Sequence, residues 1–129
     1  MVRKSYRTET VSMYLTAAEL ARNGFTVAVT SRNAQGVDLL ARGPTGKVVG
    51  IQTKGNGKPD SWWLTGRKVV SEHALFFVFV NLRGDKRPDF YVVPSRIVAR
   101  GIRSHGHKGG WHGWDRDEHW REAWHILKR

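Results

Sequence analysis

The sequence predicts an α/β or α+β fold: one helix, then a mixed sheet, then further helices. Three observations lead there. Residues 8–23 carry apolar side chains at helical spacing. A series of short segments with strand alternation follows, punctuated by Gly and Pro turns. Residues 115–127 return to helical spacing.

In the first segment Val11, Tyr14, Leu15 and Ala18 fall at i, i+3, i+4 and i+7, an apolar stripe that predicts the buried face. Gly24 stands where a left-handed cap would end the helix. Residues 25–30 alternate large apolar with small or polar side chains, as a strand does, and residues 31–35 form a polar connection. Residues 36–42 and 47–54 read as two strands around the turn Gly43-Pro44-Thr45-Gly46. Residues 55–61 are a Gly/Asn/Lys/Pro loop, and 62–70 are ambiguous. Residues 74–82 are continuously apolar, the pattern of a strand buried on both faces, and 89–93 form another strand after a turn. Ser95 is placed to cap a short helix reaching Arg100. A Gly/His/Lys loop, 104–113, precedes the final helix. There Asp115 and Glu118 have the spacing of a capping box, and Trp120, Ala123, Trp124 and Leu127 form the apolar stripe. No repeat or internal boundary divides the 129 residues, so a single domain, 1–129, is expected.

Lys and Arg number 22 against 11 Asp and Glu, a formal charge of +11. Such a field attracts polyanions, and nucleic acid is the first candidate partner. The absence of cysteine excludes disulfides, thiolate zinc sites, Fe–S clusters and a cysteine nucleophile. The apolar run 74–80 is far short of the ~20 residues that cross a bilayer, so no membrane association is expected. The basic start, Met1-Val2-Arg3-Lys4, leads into polar residues rather than an apolar run, so a cytoplasmic location is the expectation.

One polar group has the makings of a site. Gln52 and Lys54 lie two apart on a strand and share a face. Asp38 joins them only in one hairpin register. A three-residue loop, Pro44-Thr45-Gly46, pairs Gly43 with Lys47 and hence Asp38 with Gln52. A four-residue loop pairs Asp38 with Ile51 and turns Gln52 away. Gly46 suits the left-handed residue that closes the shorter loop. A carboxylate and an amide oxygen are hard ligands suited to Mg²⁺, with Mn²⁺ as a substitute. The ion would polarise a phosphate and supply hydroxide from a bound water, with Lys54 orienting that water or neutralising charge. The competing explanation is an ordinary ion pair on a solvated sheet face.

The segments Ala17-Ala18-Glu19-Leu20 … Gly24-Phe25, Asn33-Ala34-Gln35-Gly36-Val37-Asp38 and Ile51-Gln52-Thr53-Lys54 resemble the restriction-endonuclease-like PD-(D/E)xK nuclease superfamily. The likeness is to its small stand-alone members, similar in layout to Holliday-junction resolvases, and covers roughly residues 8–94. It implies a central mixed β-sheet flanked by helices and Mg²⁺-dependent endonuclease activity on DNA. Asp38 and Gln52 would then bind metal, and Lys54 would be catalytic. The pattern departs twice. Gln52 is neutral where Glu is usual, and Met13 stands where many members carry a helix Glu. Glu9, one turn earlier on the same helix face, is the candidate replacement as third ligand. Glu19 reads as an outward helix charge. A branched substrate would suit a two-fold homodimer. The rival reading is a binding module that kept the fold without catalysis.

Other features have simpler readings. His105, His107, His112 and His119 lie in or near the glycine-rich loop and read as solvated rather than as a zinc site. Trp120 and Trp124 read as core, Trp111 and Trp114 as packing for the loop. Trp62 and Trp63 cannot both face inward on a strand, so one is free to stack on a base. Lys47, Lys54, Lys58, Arg67 and Lys68, with Arg32 and Arg42, form a basic set suited to phosphate contacts.

Overall fold

The computed structural model describes residues 4–31, 36–57, 61–64, 72–104 and 112–129. Helix α1 (Lys4–Arg22) is followed by β1 (Thr26–Val29), β2 (Leu39–Arg42), β3 (Val48–Asn56), β4 (Ser61–Leu64), β5 (Leu75–Arg83) and β6 (Lys86–Pro94). Helix α2 (Ser95–Gly101), β7 (Arg103–Ser104) and β8 (His112–Asp115) come next. Two 3₁₀ turns, Glu118–Trp120 and Trp124–Lys128, complete the order.

The main sheet has five strands in the order β1-β2-β3-β5-β6. Only the central β3–β5 pair is parallel; β1–β2, β2–β3 and β5–β6 are antiparallel. This is the mixed sheet with flanking helices that the sequence predicts. β4, β8 and β7 make a second, three-stranded sheet, so the ambiguous 62–70 segment begins as a strand. Among the described residues, no helix is long and apolar enough to cross a membrane.

Strand alternation divides the sheet into two faces. On one, Leu39, Ala41, Val49, Ile51, Val78 and Val92 pack under α1 and the C-terminal segment, against Leu20, Phe25, Trp124 and Leu127. On the other, Phe77, Phe79, Tyr91 and Val93 pack under α2 and the small sheet, against Val98, Trp62 and Trp114. β5 is therefore buried on both faces, as its unbroken apolar run predicts. The outer face of β2–β3 lacks such a cover: Leu40 is 43% and Val48 50% exposed.

α1 ends as expected. Phe25 N–H bonds to the Leu20 carbonyl and Gly24 N–H to that of Ala21, the two bonds of a Schellman cap. Its buried face is not the expected one. Val11 and Tyr14 are 46% and 57% exposed, whereas Ser12, Thr16, Glu19 and Leu20 are buried. The helix is rotated so that small side chains meet β3. A Cβ at Gly55 would stand 2.0 Å from Ser12 Oγ, so only glycine admits the helix at this distance. Thr16 satisfies its hydroxyl on the Ser12 carbonyl, at 2.8 Å. Glu19 is likewise not an outward charge. It is buried and ion-paired to Arg87, which also holds Glu122 at 3.0 Å.

Two further expectations change. Ser95 makes no cap; its buried hydroxyl donates to the Glu72 carbonyl (2.7 Å) and accepts from the Glu72 N–H (2.9 Å), tying the start of β5 to α2. The final helix does not form. Arg121 makes a β-bridge with Tyr91, and Glu122 N–H bonds to the Phe90 carbonyl at 2.9 Å. Glu122 adopts φ 51°, which no α-helix continues through. Asp117, not Asp115, caps the first 3₁₀ turn through the His119 N–H. Ala123, Trp124 and Leu127 are nevertheless buried and Trp120 half-buried, so the stripe marked the right side chains in the wrong conformation.

Candidate active site

The β2–β3 hairpin takes the register of the three-residue loop. Leu39 faces Ile51 and Arg42 faces Val48, with Gly43 N–H bonded to the Lys47 carbonyl at 3.0 Å. Gly46, at φ 87°, closes the three-residue loop. The ladder ends at Leu39–Ile51, and Asp38 N–H donates to the carbonyl of that same Ile51, so the expected Asp38–Gln52 pair does not form.

Asp38 sits at the N-terminal end of β2, where the ladder stops. Its N–H donates to the Ile51 carbonyl (2.8 Å), and its carbonyl accepts from the Thr30 N–H (3.0 Å). The carboxylate turns to β3. Oδ2 accepts from the Thr53 N–H at 2.7 Å and from the Thr53 hydroxyl at 3.1 Å. A side chain thus satisfies a strand N–H that main chain would otherwise satisfy. The Val37 carbonyl is taken by the Thr30 hydroxyl at 2.5 Å.

Gln52 and Lys54 are half-buried and share one face of β3, while Thr53 between them is buried on the other. Gln52 Oε1 lies beside Gly36, 3.9 Å from where a Cβ there would stand. Arg42, exposed, shares the outer face with Gln52 and Lys54 by register.

Glu9 arrives from α1. Its Oε1 accepts from the Gly55 N–H at 3.4 Å, an approach the missing Cβ of Gly55 permits. Glu9 is exposed as a residue, yet desolvation lifts its carboxyl above the ordinary 4.5, opposed by the charge of Lys54 and the Gly55 N–H and reinforced by Asp38. Glu9 therefore feels both Lys54 and Asp38, and it meets β3 at Gly55. Met13 does not take part; it packs against the core below α1.

Among the described residues, no group of three or more His, Cys, Asp or Glu could hold a metal ion. The site offers two carboxylates and one amide instead. The sequence reading missed Thr53 and Gly55. Their signal was faint: a β-branched hydroxyl between two site residues, and a glycine directly after the lysine. A cavity of about 450 Å³ lies elsewhere, lined by Lys47, Phe76, Pro94, Arg96, Trp120 and Ile126 among others, and contains none of the four candidates.

Trp62 is buried, and its Nε1–H donates to the Val80 carbonyl at 3.0 Å, so it is core rather than a base-stacking platform. Trp114 packs face to face on Phe79. The side chains of Trp63 and His112, together with Arg32, Lys58, Arg67, Lys68, His105, His107 and Trp111, lie outside the described residues.

The fold is similar to that of a bacterial homing endonuclease, I-Ssp6803I. The TM-score is 0.65 at 16% identity, over 98% of this chain and 94% of that one. No protein-family model matches the chain, and no curated protein sequence does.

Proposed function

We propose that this chain is a divalent-metal-dependent nuclease that hydrolyses DNA phosphodiester bonds, with the site organisation of PD-(D/E)xK enzymes. The observation that best supports the reading is that β3 receives both carboxylates: Asp38 Oδ2 accepts from the Thr53 N–H and hydroxyl, and Glu9 Oε1 from the Gly55 N–H, on the strand that carries Gln52 and Lys54. The fold shared with a homing endonuclease and the charge of +11 support it.

The donor set fits Mg²⁺, or Mn²⁺ in its place: two carboxylates and an amide, all hard oxygen ligands. Glu9 is already pushed toward its protonated form by burial and by Asp38, a strain that a cation between the two would relieve. Asp38, Gln52 and Glu9 would hold the ion. When bound, it supplies Lewis acidity at the phosphorus and acidifies a water for in-line attack. Lys54 would neutralise the charge that gathers on the phosphoryl oxygens as the new P–O bond forms and the ester P–O bond breaks. Arg42, on the same face, is placed to meet a neighbouring phosphate.

A binding module without catalysis is the second reading. It is favoured by the neutral Gln52 and by Met13, a core residue where a ligand would be expected. One assay separates the two. Supercoiled plasmid is titrated with Mg²⁺ or Mn²⁺ against wild type, Asp38→Ala and Lys54→Ala. Cleavage that needs the ion and is lost in both variants supports the nuclease. Tight, salt-sensitive binding with no cleavage under any condition overturns it in favour of the module.

A further inference from the structure

We propose that Thr53 is a positioning residue that presents one chosen oxygen of Asp38 to the metal; this rests on the nuclease reading above. Asp38 lies at the end of a ladder, where nothing in its own strand orients its carboxylate. The terminal torsion of an Asp side chain is broad and close to two-fold, so either oxygen could face the site. Thr53 removes that freedom. Its N–H and its hydroxyl, at 2.7 and 3.1 Å, both converge on Oδ2. A carboxylate oxygen has two lone-pair directions, and two donors use both. Oδ1 is then the oxygen that Asp38 offers.

The main chain around Asp38 is pinned as well, through Ile51 and Thr30, so the two Thr53 donors fix the last rotatable bond of a residue already held. Thr53 itself cannot drift. It is 3% exposed and sits mid-strand on the face packed under α1. This accounts for a hydroxyl on the buried face at the centre of Gln52-Thr53-Lys54. Its hydroxyl is held by Asp38 from the neighbouring strand end, which it orients.

The test uses Mn²⁺ binding to the full chain without DNA, followed by paramagnetic resonance, in wild type, Thr53→Ser, Thr53→Ala, Thr53→Val and Asp38→Asn. Metal-ligand supports of this kind are worth about 10- to 100-fold in affinity. Thr53→Ala and Thr53→Val should weaken Mn²⁺ binding by that factor. Thr53→Ser, which differs from Ala by one oxygen, should stay within about 3-fold of wild type, and cleavage should need correspondingly more Mg²⁺ only in the Ala and Val variants. Thermal melting of each variant separates loss of folding from loss of binding, and the Ser–Ala pair decides even if the Val variant does not fold. Equal affinity in the Ser and Ala variants overturns the proposal while leaving the metal site standing, provided Asp38→Asn abolishes binding. No Mn²⁺ binding by wild type overturns the nuclease reading and this proposal together.

Discussion

The two halves of the main sheet are built on different terms. β5 and β6 are covered on both sides, and neighbouring residues such as Phe76 and Phe77 are both buried although they face opposite ways. In β2 the neighbours Leu39 and Leu40 face opposite ways too, but the first is fully buried and the second 43% exposed. β3 is the seam between the halves. It is anchored in parallel to β5 and carries Gln52 and Lys54 on the face that its other neighbour leaves open. A site needs rigidity behind it and access in front, and the proposed site on this seam would have both.

The sharpest way to break this comparison is core truncation. Phe76→Ala and Phe77→Ala should each cost about 3–5 kcal/mol, since each leaves a cavity in a packed face. Leu39→Ala should cost about 2–5 kcal/mol, and Leu40→Ala no more than about 0.5 kcal/mol. Urea unfolding measures all four; a large Leu40 effect would mean that the outer face is covered in solution.

Next come the site residues, where activity and stability should part. Lys54→Ala should lower cleavage about 100-fold or more with little change in melting temperature, as expected of a group that acts on developing charge. Equal losses in folding and cleavage would make Lys54 a structural residue of the seam.

Gly55→Ala is intermediate. The added methyl meets Ser12 Oγ and forces α1 away from β3, at a cost of about 1–3 kcal/mol. Because α1 carries Glu9, the same variant should need more Mg²⁺ for cleavage. Pairing it with Ser12→Gly, which removes the clashing hydroxyl, should restore part of both.

The smallest effect is a pH dependence. Burial raises the Glu9 pKa, so the folded chain holds that proton more tightly than the unfolded one. The stability this contributes is complete below pH 4.5 and is lost as pH rises through the raised value. Relative to Glu9→Gln, wild type should therefore lose melting temperature between acid and neutral pH in metal-free buffer, and Mg²⁺ should reduce the loss. A constant difference between the two proteins across that range would remove Glu9 from the site.

The hairpin was legible because everything that sets it is local. Loop length and Gly46 determine the register, which runs from Arg42–Val48 to Leu39–Ile51 and stops one residue short of the expected Asp38–Gln52 pair. The double burial of β5 was legible for a similar reason, since an unbroken apolar run has no polar face to show. Other readings failed where long-range contacts overrule a pattern. The stripe Val11, Tyr14, Leu15 and Ala18 fits helical spacing, and Leu15 does pack against the core, yet α1 turns Ser12 and Thr16 inward, because close approach to β3 at Gly55 favours small side chains over apolar ones. Residues 115–127 have a helix's periodicity. The Tyr91–Arg121 bridge and the ion pairs Arg121–Asp89 (2.6 Å) and Arg87–Glu122 (3.0 Å) hold them against β6 in another form.

By itself, then, the sequence determined the hairpin with its pairing from Arg42–Val48 to Leu39–Ile51 and the double burial of the central strand. Each depends on residues a short distance apart or on composition alone. Only the tertiary structure decided which side of α1 faces the sheet, how the C-terminal segment docks, and that Thr53 holds the Asp38 carboxylate. Those depend on the distance between elements and on polar partners far apart in the chain, and periodicity encodes neither.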